Sequence, residues 1–471
     1  MPLQTNRIIL SLTVIVGTSM TSMSAWADAI VYGNSPITVK DYSGKAKDSN
    51  SYKGQIARHL LLNSLKKLAA KGDGKANPEL KKKMMSYYAG KDEGRVIIDP
   101  QTKGDFKIKQ TLIDDLSKGK NLKGKTFKGA APSWPGQMTA SEVLEFMINK
   151  TSVTNKGFDP LTGYNYPQLI SKFGMGAIFY NQAVDNYLDE KLEVGNKPND
   201  KPYKEGKPFT GKEHVWDESF GYFGAPAHVM TLKVGDAKDI GKKKDIKVAD
   251  ANGDGVVDLY KEMIFSHASY AADADKSGKT NYLHTITRAY IDGRSLITSA
   301  KATVLTDSQR AKLNEYANTI KTNWQKVIAE AAFKYAGETY KDLQKLKAIV
   351  TTNGDAKKAF SSYGKHWSEM KGFTMALQTS GKDLGGVAVK LNRLVGFGPV
   401  LLGGNQVTGV DAKGNYTTGG DKSIGDYMVH MIKVQALLAN AFDLKAKKHD
   451  VAGEMKGLIE SLGKSKSAEN D

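Results

Sequence analysis

The sequence predicts an all-α protein, built as two helical-bundle halves with long loops. Three observations predict it. Apolar residues recur every three or four positions over long stretches, the pattern of a helix with one buried face. Alternating, strand-like runs are scarce: Val96-Ile97-Ile98 and Pro399-Val400-Leu401-Leu402 are short extended pieces at most. Between the periodic stretches lie segments rich in Gly, Lys, Asn and Pro, which carry turn chemistry.

Residues 1–27 read as a secretory signal peptide. Arg7 supplies the positive start, Ile8 to Val16 is a short and mostly apolar run, and Ala25-Trp26-Ala27 or Ala27-Asp28-Ala29 offers a small-x-small cleavage site. That run is too short to cross a bilayer, and no later stretch reaches the ~18 apolar residues that a spanning helix needs. The expected location is the periplasm of a bacterium, or the medium or cell surface. The chain has no Cys, so no disulfide can help it. An exported protein of this kind relies on packing, with bound ions as a supplement.

An N-terminal helical half is expected over 28–205. Its clearest element is the stripe Leu169, Phe173, Ala177, Tyr180, Val184 and Leu188, in which Gly174 and Gly176 suggest close helix packing. Residues 103–136 form a Lys- and Gly-rich loop. Gly195 to Phe209 is a linker-like break. A central segment, 206–300, follows and is expected to pack on the N-terminal half. The C-terminal half, 301–465, opens with Thr306-Asp307-Ser308 as capping residues for helix from Ser308 to Tyr340. Further helices are expected over Ala356–Leu377 and along the stripe Tyr427, Met431, Val434, Leu438 and Phe442. Gly403 to Gly420 reads as a loop, and 466–471 as a disordered tail.

The charge is strongly basic, 68 Lys+Arg against 50 Asp+Glu. Short lysine runs such as Lys81-Lys82-Lys83 read first as a solvated surface, with attraction to anionic partners as the alternative. No zinc-finger, RNP or helix-turn-helix pattern supports nucleic acid.

A motif nearly repeats. Gly364-Lys365-His366-Trp367-Ser368-Glu369 reads Gly-x-His-x-x-Glu, and His214-Val215-Trp216-Asp217-Glu218 stands about 150 residues earlier. Each places an imidazole three residues before a carboxylate, with a Trp beside it. Residues three apart share a helix face, and imidazole with carboxylate suits iron, zinc, copper or manganese. His214, Asp217, Glu218, His366 and Glu369 are therefore candidate ligands for a transition metal. Neither motif alone supplies enough donors. Another helix would have to contribute; His59, His228, His267, His284, His430 and His449 are the remaining imidazoles, and the sequence does not choose among them.

A second signal is calcium-like. Asp250, Asn252, Asp254, Val256 and Asp258 fit the first nine positions of an EF-hand-type loop, with Gly255 at the turn. The twelfth position is Lys261 rather than Glu, and Gly241 to Ile246 is not a helix former. The expectation is a calcium loop without a full helix-loop-helix. Asp273-x-Asp275-x-Ser277-Gly278 is a weaker echo. Catalytic signatures are absent: no His-Glu-x-x-His, no Gly-x-Ser-x-Gly, no P-loop and no Cys nucleophile.

The Gly364–Glu369 segment resembles the Gly-x-His-x-x-Glu motif of the imelysin-like proteins. His214 to Gly224, Lys156 to Tyr180 and His366 to Gln378 resemble a poorly characterised exported branch related to them. The resemblance spans roughly Gly157 to Phe442. It implies two four-helix-bundle-like halves related by pseudo-symmetry, a periplasmic or surface location and a link to iron acquisition, with His366 and Glu369 as metal residues. Imelysins carry the motif in their N-terminal half, whereas the full match here lies in the C-terminal half. The resulting expectation is a non-enzymatic exported protein binding iron or another transition metal, or a small metal complex, with calcium as a structural ion and a cell-envelope protein as partner. A metal-dependent hydrolase or peptidase, with Glu218 as base, and a surface protein binding anionic partners are the alternatives.

Overall fold

Helix caps fix where the chain begins its turns. The computed structural model describes residues 31–456, so the expected signal peptide and C-terminal tail lie outside the described residues. The first helices are α1 (Lys53–Ala69), α2 (Pro78–Tyr88), α3 (Ala140–Thr151) and α4 (Tyr166–Gly174), the last running on as a π-helix over Met175–Tyr187. The middle of the chain forms α5 (Gly211–Phe223), α6 (Val234–Gly241), α7 (Ile246–Ala249), α8 (Ser266–Asp275) and α9 (Tyr282–Ser299). Then come α10 (Asp307–Thr351), α11 (Lys357–Ala376), α12 (Gly386–Val395), α13 (Ile424–Phe442) and α14 (Val451–Glu454). Thr139, Thr210 and Thr306 each close a capping box, with Glu142, Glu213 and Gln309, at the starts of α3, α5 and α10.

The fold is all-α, as the periodicity predicts. One expectation fails: the Gly403–Gly420 loop contains an antiparallel hairpin, β1 (Gln406–Val410) with β2 (Tyr416–Gly419). Val407, Val410 and Tyr416-Thr417-Thr418 are β formers. Asp411 organises the turn, its Oδ1 accepting from the Lys413 and Asn415 amides at 2.9 and 2.7 Å. These signals were present in the sequence but masked by the glycines.

Helix α10 has 45 residues, about 68 Å at 1.5 Å per residue. It packs against α8, α9, α11 and α13, while α11 also packs against α4. Close approach of α11 to the α4 π-continuation explains Gly176: a Cβ there would collide with Ala376. Buried residues from Tyr32 to Ala452, among them Trp216, Trp324 and Trp367, join one apolar cluster. The π-helix itself is uncommon, since one-turn bulges are the usual form. Its thirteen residues keep Ala177, Tyr180 and Val184 in the core.

Candidate functional site

Helix α5 carries the first motif, and its three candidate ligands separate. Asp217 is fully buried. Its Oδ1 accepts from Tyr32 Oη at 2.6 Å, Asn50 Nδ2 at 3.2 Å and Arg294 Nε at 3.0 Å, and its Oδ2 from the Ser51 amide at 2.9 Å. Arg294 Nη1 also donates to buried Glu213 at 2.9 Å. Asp217 thus pins the segment 32–51 onto α5 and α9. His214 and Glu218 stand apart from it, with His214 Nε2 at 3.7 Å from Glu218 Oε2. Glu218 accepts from Gln55 at 2.7 Å. The His214 ring stacks on Phe209 at 4.7 Å and lies beside Tyr203 at 4.2 Å. Burial pulls its pKa below the usual imidazole value, with Glu218 opposing.

Helix α11 carries the second motif, and here too the pair divides. Glu369 is buried and faces α4, where Lys172 Nζ is 3.6 Å away. His366 faces α10. Its Nδ1 is 2.6 Å from Asp342 Oδ2 and its Nε2 is 3.1 Å from Glu338 Oε2. Glu338 Oε1 in turn lies 3.4 Å from His449 Nε2 and 3.9 Å from Lys334 Nζ. Burial opposes protonation of His366, but the hydrogen bond and charge of Asp342, helped by Glu338, raise its pKa on balance.

The sequence did not single out Glu338 and Asp342, although four-residue spacing on a long helix puts them on one face. His449 was one of six open candidates. Which helix faces α11 is a tertiary fact. Three of the other imidazoles are hydrogen-bonded elsewhere: His59 with Ser266 and the Gly221 carbonyl, His284 with the Val229 carbonyl, and His430 with the Leu394 carbonyl. His228 and His267 are buried away from both motifs, His267 between Tyr180 and Trp324. His214 and His366 therefore have different surroundings.

As their side chains stand, no three His, Asp, Glu or Cys among the described residues are grouped so as to hold a metal ion. The donor chemistry of the His366 cluster nevertheless suits a borderline cation, with two imidazoles and a carboxylate. Asp342 on Nδ1 fixes the His366 ring and leaves Nε2 facing Glu338, the arrangement in which an outer carboxylate can orient an imidazole for a ligand.

The calcium-like loop follows the one-turn helix α7, in keeping with an incomplete helix-loop-helix. Asp250 Oδ1 accepts from the Gly253 and Asp254 amides at 2.8 and 3.1 Å, and its Oδ2 from Gly255 at 2.8 Å. Asn252 Oδ1 accepts from Asp254, and Asp254 Oδ1 from Val256. Val257 bridges Ile108, tying the loop to the 107–109 segment. Asp258 accepts from Gln110 at 2.7 Å. Glu262, one place late for a ligand, instead accepts from the Ala251, Asn252 and Asp258 amides. The weaker echo is spent otherwise: Asp273 pairs with Lys238, Lys334 and Lys448, and Asp275 caps α9 through the Tyr282 and Leu283 amides.

No curated protein and no solved structure matches this chain. One family does. Its model covers residues 138–386, more than half of the chain. The match takes in both His motifs, the calcium-like loop, Glu338 and Asp342, and leaves His449 outside. The chain belongs to the family described as Domain of unknown function (DUF4856).

Proposed function

We propose that this chain is an exported, imelysin-like binding protein that takes up iron or another transition metal at the His366 cluster. His366 Nε2, Glu338 and His449 Nε2 would ligate the ion, and Asp342 would orient His366. The observation that carries the reading is the carboxylate on each side of one imidazole, with a second imidazole 3.4 Å from the same glutamate. Loading would be a small closure. His449 sits on the loop before α14 with a left-handed φ of 56°, and its inward movement would complete the set. Asp250, Asn252, Asp254 and the Val256 carbonyl would hold calcium as a structural ion, with Asp258 acting through water. A link to metal uptake across the cell envelope follows from the resemblance and from the expected signal peptide.

The test is elemental mass spectrometry on the mature protein, purified without chelators, followed by titration of the stripped protein with zinc and iron. Near-stoichiometric transition metal, lost in His366→Ala and weakened in His449→Ala, supports the reading. Equal binding by wild type and His366→Ala would overturn it.

A further inference from the structure

Lys371 lies one turn beyond His366 on α11, and its side chain is sealed in the core. Its Nζ donates to the Gly396 carbonyl at 2.6 Å, and Ser133 Oγ is 2.7 Å away. The rings of Trp367 and Phe397 flank the amine at 6.0 and 5.9 Å. A buried lysine is ordinarily paired with a carboxylate, as Lys172 is with Glu369. Lys371 has a hydroxyl and a carbonyl instead. Burial, with no neighbouring charge, pushes its pKa down to about 7.

Ser133 is unusual in its own right. It occupies the left-handed region at φ 52°, a conformation that costs a non-glycine residue on the order of 1 kcal/mol and must be held by its surroundings. The hold is visible. The loop is closed at its base by the Ala130–Thr139 bridge and by the Ala131 amide donating to the Met138 carbonyl at 2.9 Å. Trp134, 4% exposed, stacks on Tyr164 at 5.5 Å. Ser133 itself remains partly exposed, as does Phe397 beside the lysine.

We infer that Ser133 and Lys371 form a nucleophile–base dyad for acyl transfer, with an ester bearing an apolar acyl group as the class of substrate. With the amine neutral, the Ser133 hydroxyl donates to the single lone pair of Nζ, and an N–H donated to the Gly396 carbonyl fixes the direction of that lone pair. Ser133 Oγ attacks the acyl carbon as its proton passes to Lys371. The ester C–O bond breaks, and the alcohol leaves with the proton that Lys371 returns. Water then attacks the acyl-serine and gives its proton to the same amine; the acyl–Oγ bond breaks, Lys371 returns that proton to Ser133 Oγ, and the acid leaves. No oxidant or metal enters. The apolar preference comes from the exposed Phe397 ring.

The test uses the full mature chain in a chelator, treated with an alkyl fluorophosphonate. Ser133 Oγ would bond to phosphorus with loss of fluoride. The expected result is one adduct per chain, located at Ser133 by peptide mass spectrometry, absent in Ser133→Ala and slowed at least tenfold in Lys371→Met. Should Lys371→Met fail to fold, the comparison of wild type with Ser133→Ala still decides. Absence of an adduct at Ser133 in wild type under excess probe would overturn the inference and leave Lys371 as a buried structural amine. Labelling that survives Ser133→Ala would do the same.

Discussion

Replacing Arg294 with Met would remove the cation that two buried carboxylates share. Arg294 Nε and Nη1 meet Asp217 and Glu213 at 3.0 and 2.9 Å, and Nη2 donates to Ser49 Oγ at 2.7 Å. At an effective dielectric constant of about 20, each charge pair is worth about 5 kcal/mol gross. Most of that offsets the desolvation of three charges, so the net value of the intact network is small. Breaking it is different. Asp217 and Glu213, both fully buried, would be left without a counter-ion, and the expected loss is about 3–5 kcal/mol. Urea denaturation followed by circular dichroism would measure it. The same variant should make the segment 41–48 more open to limited proteolysis, because the Arg294 contact to Ser49 at its end is lost. A loss below about 1 kcal/mol would refute the structural role given to Asp217.

Three further outcomes are expected. In chelator, His366 should stabilise the fold most at low pH. Its folded pKa is raised, so its contribution is complete below about pH 6.5 and is lost as pH rises through the higher folded value. The stability gap between wild type and His366→Ala should therefore shrink from pH 6 to pH 8, and a gap that widens would contradict the Asp342–His366–Glu338 clamp. Calcium at about 5 mM should stabilise wild type by about 1–2 kcal/mol if the loop has the affinity of extracellular calcium modules. Asp250→Ala should lose that increment, read as the calcium-dependent change in melting temperature. Glu369→Gln should cost about 3 kcal/mol by stranding Lys172 while leaving zinc affinity unchanged in titration. Weaker zinc binding in this variant would return Glu369 to the ligand set.

The periodic stripes were legible because burial of one helix face is a local property of sequence. The stripe from Leu169 to Leu188, the caps at Thr306 and the close approach at Gly176 could all be read in advance. The turn chemistry of Asp250 to Asp258 was equally local. Partner choice was not. Glu369 and His366 are three residues apart, yet α4 claims one and α10 the other. Nothing near Asp217 in sequence announces Arg294, which lies 77 residues away. Ser133 and Lys371 are 238 residues apart, and neither belongs to a recognisable catalytic motif. What sequence periodicity cannot supply is the identity of the helix on the other side of each stripe.

Helix α10 has a consequence for how tightly a ligand could be held. Glu330, Lys334, Glu338 and Asp342 succeed one another every fourth residue, and the chain after α13 is laid along that row. Glu330 accepts the Lys445, Ala446 and Lys447 amides at 2.8–2.9 Å, and Lys448 reaches Asp273 at 3.0 Å. His449 follows directly. The loop that carries this imidazole is thus tethered just before it, so much of the entropy of bringing His449 to Glu338 is lost during folding rather than at binding. Its effective concentration beside Glu338 is set by a carboxylate two helical turns away that never touches the ligand.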